Sequence, residues 1–310
     1  MDVADVDRFA HPALLYRDDE EYLAGTLPYI RDGLSAGEPV AVAVPGANLQ
    51  LIRAALGDDA DRVSLLDMTT AGRNPGRILP TVLLSFADTH PDRRVRLIGE
   101  PIWAGRSAAE YPACAQHEAL INVAFADRAA TILCPYNAAL LDPAWIADAY
   151  RTHPVLFTAA GRFDSLHYDD PIAVAAGFNR PLSARPADAA ALVVDIHTLP
   201  AARRFIAEHA IRAGLPAERV SDLVLAVNEL AGNSAEHGGG VGELSVWTQA
   251  DYLVCQLADR GHVSDPLAGR IPVPADAPGG RGLLLVNRLC DLVRMHTTPT
   301  GTTVRVHLHR

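Results

Sequence analysis

The chain has 310 residues, of which 49 % are hydrophobic, and a formal net charge of −10, so we expect two folded domains and no direct nucleic-acid binding. No apolar run approaches the roughly 20 residues of a membrane span. The acidic N-terminus lacks the basic and apolar regions of a signal peptide, which predicts a cytoplasmic protein without membrane contact.

The chain contains no lysine, and all 27 of its Lys-plus-Arg positions are arginine. This argues against a Walker-type phosphate loop, a Schiff-base enzyme and a kinase with a strand lysine. Any nucleotide site must therefore bind phosphate with backbone amides, arginine and a metal ion. The four cysteines form no CxxC pair, so no disulfide framework is predicted. Cys114 and His117 have a metal-like spacing, but no second pair matches them.

Helices and short apolar strands alternate from His11 to Val155, which predicts a mostly parallel α/β sheet covered on both sides. The predicted strands are Pro39–Val44, Val63–Leu66, Arg94–Glu100 and Ala130–Pro135. The predicted helices are Asp18–Leu34, Asn48–Leu56, Arg77–Asp88 and a segment around His117–Ala126. Polar residues at or just beyond the strand ends fit either a ligand pocket or ordinary surface and capping positions. These residues are Glu100, Trp103, Glu118 and Asn122.

Several short motifs of this first half resemble the MEDS sensory domain, named for methanogen, methylotroph and DcmR-type regulators. The motifs are His11 followed by Leu15-Tyr16, the helix end Gly33-Leu34-Ser35-Ala36-Gly37-Glu38, then Cys134-Pro135-Tyr136-Asn137 and His153-Pro154. The resemblance implies a signal-input domain that is RecA-like in fold but lacks the lysine loop. It leaves the ligand of this domain open.

A proline-containing stretch separates the two halves of the chain. Tyr168–Ala189 has little periodicity and is predicted to be an extended connection. We therefore expect a sensory domain at 1–167, a linker at 168–189 and a second domain at 190–310.

The second domain is predicted to mix strands and helices. The predicted strands are Ala191–Ile196, Glu243–Gln249, Tyr252–Ala258, Asp291–Thr297 and Thr302–His309, the last two forming a hairpin. The predicted helices are Leu199–Ala213, a helix opened by Pro216 and stopped by Gly238–Gly240, and Leu283–Cys290.

The middle helix carries a polar row next to its apolar face. Glu229, Asn233 and His237 follow one another at intervals of four residues, so they lie along one line. The row fits a solvated helix face or a binding site.

A loop of about 20 residues follows Asp259-Arg260-Gly261 and ends in glycines before a helix. Loops of this length are normally functional. Backbone amides at such a helix start favour phosphate.

The order of these motifs along the chain resembles that of the GHKL ATPase family, which has the α+β sandwich of the Bergerat fold. The motifs are Glu229-x-x-x-Asn233, Asp259-x-Gly261, Gly280-Arg281-Gly282 and Gly301-Thr302-Thr303. Within that family the domain resembles the short RsbW-type anti-sigma-factor kinases. Its pairing with a MEDS-like half resembles RsbA-type anti-sigma regulators.

The resemblance implies a role for each of these motif residues in binding ATP and Mg²⁺. Asn233 would bind Mg²⁺, and Glu229 would be the general base. Asp259 would accept the adenine amino group beside Gly261, and Thr302 or Thr303 would back the adenine. Gly280 and Gly282 would donate backbone amides to phosphate. We infer separately that Arg281 adds positive charge there.

Two positions near the expected nucleotide leave a question open. Val263 stands where the family often has a second glycine, a departure that bears on the geometry of the ATP lid expected at 262–280. His237 fits a helix-capping role as well as a catalytic role.

The function implied by the resemblance is that of a serine/threonine protein kinase that is also an anti-sigma factor. It would bind a sigma factor and phosphorylate a serine of an antagonist protein, and it would dimerise as RsbW-type domains tend to do. Two alternatives remain: a sensor histidine kinase, and a nucleotide-gated binding protein without phosphotransfer. The histidine kinase would need a dimerising helical hairpin, for which the proline-rich connection is too short.

Overall fold

A computed structural model describes residues 9–273 and 280–310 of the chain. The chain divides into two compact units. One unit comprises Met1–Arg73 and Ile78–Phe178, and the other comprises Asn74–Arg77 and Asn179–Arg310. The division after Phe178 falls inside the linker predicted at 168–189. The domain bounds predicted from the sequence remain a prediction.

An eight-stranded sheet forms the centre of the first unit. Its strands are β1 (Phe9–Ala10), β2 (Pro12–Tyr16), β3 (Val40–Val44), β4 (Ser64–Asp67), β5 (Val95–Gly99), β6 (Ala130–Asn137), β7 (Val155–Thr158) and β8 (Gly161–Asp164). The strand order is β4-β3-β5-β6-β2-β7-β8, and β1 also pairs with β6. All neighbours are parallel except β7 and β8. The predicted mostly parallel α/β sheet is confirmed.

Helices connect these strands, as parallel pairing requires. The helices along this part of the chain are α1 (Asp19–Ser35), α2 (Gly46–Leu56), α3 (Met68–Ala71), α4 (Pro75–Ile78), α5 (Leu84–Asp88), α6 (Tyr111–Ala124), α7 (Pro143–Thr152) and, after the last strand, α8 (Pro171–Gly177). Most of α4 belongs to the second unit. The start of α1 is fixed by Asp18, whose side chain accepts a hydrogen bond from the Glu21 N–H. Apolar side chains of α1 and α2 pack on β3 and form a buried core with it.

The structure differs from the sequence prediction in several places, three of which have a reason in the sequence. The helix predicted at Arg77–Asp88 is interrupted by a π-helical turn, Leu79–Leu83, which contains Pro80, a residue without a backbone N–H. Strand β2 was not predicted, because all five of its residues are buried and no alternation marks it. The connection predicted to be extended contains α8, which Pro171 opens at a position where proline is tolerated.

The second unit contains a five-stranded antiparallel sheet in the order β12-β13-β11-β10-β9. Its strands are β9 (Ala190–Val194), β10 (Gly242–Gln249), β11 (Tyr252–Asp259), β12 (Leu292–Thr298) and β13 (Gly301–His309). Its helices are α9 (Leu199–Arg212), α10 (Ala217–His237) and α11 (Gly282–Leu289). The predicted α+β architecture is confirmed, with helix and strand bounds close to those expected.

The core of the second unit lies between the sheet and the three helices. Leu223, Val227 and Leu230 of α10 are buried against sheet residues such as Val246 and Val306. This packing fixes the orientation of α10 about its own axis. The residues beside its buried stripe therefore lie along the surface of the sheet. The register pairs Asp259, the last residue of β11, with Thr302 near the start of β13. One end of the sheet therefore gathers two of the predicted site residues.

Candidate functional site

Helix α10 presents the carboxylate of Glu229 and the carboxamide of Asn233 one turn apart. Both side chains are half-buried. The helix ends at His237, and the Gly238 N–H that follows donates to the Ser234 carbonyl oxygen. The side chain of His237 is 77 % exposed. The polar row predicted from the sequence is therefore present, but its third member faces solvent.

Gly282, the first residue of α11, approaches both polar side chains of α10. A Cβ atom on Gly282 would lie 3.1 Å from Glu229 Oε2 and 3.2 Å from Asn233 Nδ2. These distances are at the lower limit of ordinary contact, so a larger residue would displace the two side chains. The start of α11 and the polar row of α10 thus form one site, in which Gly282 contributes only its backbone. A backbone N–H at a helix start can bind an anion there.

Asp259 lies at the other end of the same site. Its Oδ1 accepts a hydrogen bond of 2.8 Å from the Gly261 N–H. A Cβ atom on Gly238 would come within 2.5 Å of Asp259 Oδ2, and one on Gly261 within 2.7 Å of the His237 carbonyl oxygen. The two glycines therefore let the end of β11 pack against the end of α10 and hold the Asp259 carboxylate in one position.

The two candidate threonines lie on opposite sides of β13. Thr302 is buried, and its Oγ1 donates to the Gly261 carbonyl oxygen over 2.9 Å. The same Oγ1 lies 2.8 Å from Thr297 Oγ1, which also accepts from the Val263 N–H. Thr303 is the next residue along the strand and points the other way. Thr302 is thus the threonine that contacts the Asp259–Gly261 turn.

These residues surround a cleft of about 470 Å³. Six of the predicted site residues line it: Asn233, Asp259, Gly261, Gly280, Gly282 and Thr302. Its apolar lining includes Leu230, Val263, Ile271, Leu283, Met295 and Val304. Glu229, Arg281 and Thr303 are not among the lining residues, although Glu229 reaches Gly282. A small number of polar groups in a mostly apolar cleft is typical of a small-molecule site.

The segment expected to be the ATP lid is described at both ends, while 274–279 lie outside the described residues. Gly280 has a φ of 80°, a conformation that favours glycine, and Arg281 is exposed before α11. A Cβ atom on Gly269 would come within 2.6 Å of Leu283 Cβ. The Gly269 carbonyl oxygen accepts a 2.9 Å hydrogen bond from Asn287 Nδ2. The first part of the segment is therefore packed on α11.

The donors in this cleft suit a magnesium-bound nucleotide. Asn233 offers an amide oxygen, which Mg²⁺ accepts as one protein ligand beside phosphates and water. Gly280 and Gly282 leave backbone groups accessible where side chains would otherwise stand. Asp259 offers a fixed hydrogen-bond acceptor. The cleft thus combines an amide oxygen, the backbone at the start of α11 and a fixed acceptor with a mostly apolar lining.

Family models match both units of the chain. Residues 10–154 match MEDS, the methanogen/methylotroph, DcmR sensory domain, and residues 192–308 match the histidine kinase-like ATPase domain. The chain therefore joins a MEDS domain to a histidine kinase-like ATPase domain. The expected resemblance to MEDS and GHKL proteins is confirmed. A match to this ATPase domain implies that the second unit binds ATP.

Two solved structures are similar to the chain. The RsbU and RsbW domains of Rv1364c from Mycobacterium tuberculosis share 20 % identity over 40 % of this chain and 33 % of that one, with a TM-score of 0.30. The Acinetobacter baumannii histidine kinase AdeS shares 8 % identity over 64 % of this chain and 94 % of that one, with a TM-score of 0.25. The chain thus spans a third of the first structure. A comparison with curated proteins found no match.

No helix among the described residues combines the length and apolar character that a membrane crossing requires.

Glu100, Trp103, Glu118 and Asn122, which were predicted near the strand ends of the MEDS domain, do not form one pocket. They take part in separate interactions. Glu100 is buried at the end of β5, where its carboxylate accepts hydrogen bonds from Tyr16, Tyr22 and Asn48. Burial raises the pKa of Glu100 to about 7, although these three donors oppose the rise. The ring of Trp103 instead stacks under the Arg106 guanidinium, 3.8 Å away.

Glu118 and Asn122 of α6 belong to a second buried cluster of the MEDS domain. Four side chains with metal-ligating atoms meet there: His11, Glu118, Cys134 and His153. Burial, followed by the neighbouring His153, lowers the pKa of His11 to about 4, so its ring is neutral at physiological pH.

This cluster was not predicted from the sequence. His11, Cys134 and His153 all occur in the motifs that carry the MEDS resemblance, and that shared membership was the available signal. The spacing of Cys114 and His117 suggested a different pair, and neither of these residues belongs to the cluster.

Proposed function

We propose that the chain is an ATP-dependent serine/threonine protein kinase that also acts as an anti-sigma factor. The observation that carries the proposal is the closeness of Gly282 to Glu229 and Asn233. It places the backbone of a helix start directly beside a carboxylate and an amide oxygen, with no room for a side chain between them. A kinase needs these three elements together, because phosphoryl transfer depends on positioning and charge stabilisation.

The adenine would lie beside Asp259, against apolar residues that line the cleft. Asp259 would accept the adenine amino group with the oxygen that is not bonded to Gly261. Thr302 would support the ring by fixing the Gly261 carbonyl. Leu230, Met295 and Val304 would contact the faces and edge of the ring.

The phosphates would lie at the start of α11. The backbone N–H groups of Gly280 and Gly282 would donate to them, with the helix dipole favouring negative charge. Asn233 Oδ1 would bind Mg²⁺, which would neutralise charge on the phosphate oxygens. Glu229 would accept the proton of the incoming hydroxyl group. Arg281 is exposed beside Gly282 and would add positive charge near the phosphates.

The connection between the two domains favours a protein substrate over an internal histidine. Between β8 and β9 the chain forms one helix, α8, of 7 residues. A phosphoacceptor hairpin would need two long helices there. His153 is fully buried, and His167 lies in a turn. Neither histidine is presented on an exposed helix where a kinase domain could reach it.

The partners follow from the resemblance to RsbA- and RsbW-type regulators. A sigma factor and an antagonist protein would compete for the ATPase domain, and phosphorylation of a serine on the antagonist would decide which one is bound. The MEDS domain would supply the regulatory input. Homodimerisation through the ATPase domain would match the expected behaviour of such kinases.

Incubation with γ-labelled ATP, Mg²⁺ and the antagonist protein encoded nearby tests the proposal. We expect an acid-stable label on the antagonist, as for phosphoserine. An acid-labile label on the chain itself would instead identify a histidine kinase. Saturable ATP binding without any transfer would identify a nucleotide-gated binding protein, and both of these results would overturn the proposal.

A further inference from the structure

Four buried side chains of the MEDS domain direct their ligating atoms to one point. His11 lies between β1 and β2, Cys134 in β6, His153 just before β7, and Glu118 on α6. All four are at most 1 % exposed, and their ligating atoms lie within 4.8 Å of one another. Cys134 thus comes from a strand and Glu118 from a helix, while His11 and His153 stand just before β2 and β7.

The distances between these atoms match a tetrahedral metal site. His11 Nε2 lies 3.3 Å from Cys134 Sγ and 3.4 Å from Glu118 Oε2, and His153 Nε2 lies 3.2 Å from the same oxygen. Around a tetrahedral zinc ion with ordinary bond lengths, neighbouring ligand atoms are about 3.3–3.6 Å apart. Three of the six distances among the four ligand atoms therefore match those of a single-ion site, and all six are within 4.8 Å.

The cluster also contains buried polar atoms that lack hydrogen bonds. Both carboxylate oxygens of Glu118 and the Nε2 atom of His153 are buried, and none of them has a partner in hydrogen-bonding geometry among the described residues. A buried carboxylate without such partners is costly. A cation at the centre of the cluster would satisfy all three atoms, which independently indicates a ligand.

The other ring nitrogen of each histidine is already bonded, which orients Nε2 inward. His153 Nδ1 lies 2.9 Å from the Ala149 carbonyl oxygen, an acceptor, so we assign the N–H to Nδ1. His11 Nδ1 lies 3.2 Å from Asn122 Oδ1, and Asn122 Nδ2 donates to the Thr152 carbonyl. Each Nε2 therefore presents a lone pair towards Glu118. Such outer hydrogen bonds are typical of metal-binding histidines.

We propose that His11, Glu118, Cys134 and His153 bind one divalent transition-metal ion in the MEDS domain, and that Zn²⁺ fits this donor set best. One thiolate, two imidazoles and one carboxylate suit zinc better than the oxygen-preferring Mg²⁺ or Ca²⁺. Binding releases the Cys134 thiol proton to solvent, and the thiolate and carboxylate then balance the two positive charges. Four protein ligands close the coordination sphere, which makes the ion structural: it joins α6 to three strands.

Metal analysis of the full-length protein tests the proposal. Because the ligands are buried, the ion is expected to enter while the domain folds, so the protein should be expressed in zinc-supplemented medium. We expect about one tightly bound zinc per chain after dialysis. Cys134→Ser and His153→Ala should each lose most of this metal. Cys114→Ser alters the other buried cysteine of the domain and should retain it.

Cobalt substitution gives absorption bands that depend on the ligands of the ion. A general folding defect would not produce the same changes in these bands. The wild-type protein produced with Co²⁺ should show the visible bands of a tetrahedral site and a near-ultraviolet thiolate-to-cobalt band. His153→Ala should keep the thiolate band with altered visible bands, whereas Cys134→Ser should lose the thiolate band. Folded wild-type protein with neither zinc nor a thiolate-to-cobalt band would overturn the proposal. Metal retained unchanged in folded Cys134→Ser and His153→Ala would overturn it as well.

Discussion

The hydroxyl group of Thr302 donates a 2.9 Å hydrogen bond to the carbonyl oxygen of Gly261. This bond joins the start of β13 to the turn after β11. The Gly261 N–H meanwhile donates to Asp259 Oδ1, so both backbone polar groups of Gly261 are fixed. The turn is therefore held on two sides, and Asp259 Oδ2 is fixed where, in the proposed site, it would accept a hydrogen bond from the adenine ring.

Thr302→Val should weaken ATP binding. Valine has the same shape but leaves the Gly261 carbonyl oxygen without its donor, at a cost of about 1–2 kcal/mol, so the Kd should rise roughly 5- to 30-fold. Thr303→Val is the matched control, because the neighbouring residue points to the other side of the strand. Isothermal titration with Mg-ATP measures both variants. Equal effects of the two substitutions would contradict the assignment of Thr302 to the adenine pocket.

Gly282→Ala should lower phosphotransfer, because its Cβ atom would press on Glu229 Oε2 and Asn233 Nδ2 at 3.1 Å and 3.2 Å. The matched control is Gly232→Ala in α10, where a Cβ atom meets nothing within 4 Å. That control should stabilise the helix by about 0.5–1 kcal/mol and leave activity unchanged. Initial rates of ATP turnover and thermal unfolding compare the pair. Wild-type turnover in Gly282→Ala would argue against a phosphate beside Gly282.

Substitutions of Glu229 and Asn233 should distinguish a loss of phosphotransfer from a loss of ATP binding. Asn233→Ala removes the only side-chain oxygen proposed for Mg²⁺ and should abolish Mg-dependent ATP binding. Glu229→Gln keeps the size of the side chain and should spare binding, while transfer falls by about 10²- to 10⁴-fold with the loss of the base. Fluorescent-ATP titration with and without Mg²⁺, followed by single-turnover transfer, distinguishes the two variants.

The control for these variants is Glu236→Gln. This carboxylate lies on the same helix and is 68 % exposed. It should change neither binding nor transfer. If Asn233→Ala binds Mg-ATP as tightly as this control, the assignment of the metal ligand is wrong.

Much of the ATPase cleft could be predicted from the sequence, because its residues belong to short motifs at element ends. The spacing of Glu229 and Asn233 determines their alignment once α10 is helical. The choice between Thr302 and Thr303 could not be made from the sequence. It depends on the register that pairs Thr302 with Asp259, and a shift of one residue would exchange the two threonines.

The metal-binding cluster of the MEDS domain could not be predicted in this way. His11 and Cys134 are 123 residues apart, and they meet because β2 pairs with β6. His153 joins them because β7 pairs with the other edge of β2. Strand β2 has five buried residues without alternation, so the sequence did not mark it as a strand. Without that strand, the order of neighbours in the sheet could not be inferred.

Glu100→Gln should stabilise the MEDS domain, and the gain should depend on pH. Since burial raises the pKa of Glu100 to about 7 in the folded protein, the folded state keeps a proton that the unfolded state releases above about pH 4.5. Stability therefore falls as pH rises from about 4.5 to about 7 and then stays level, a loss of about 3 kcal/mol. Glutamine cannot ionise, so its advantage over wild type should be small at pH 4.5 and full at pH 8.

Urea unfolding followed by the fluorescence of Trp103 and Trp145, both in the MEDS domain, measures this dependence in a Trp247→Phe background. Glu110→Gln provides a control of opposite sign. Burial opposes ionisation of Glu110, but the Ser107 N–H and the Arg106 guanidinium hold its pKa below the ordinary value. Its ionised form therefore stabilises the fold at neutral pH, and that contribution is lost as pH falls through the folded pKa. Glu110→Gln should consequently cost more stability at pH 8 than in acid. A gain from Glu100→Gln that is equal at pH 4.5 and pH 8 would show that Glu100 ionises normally in the folded domain.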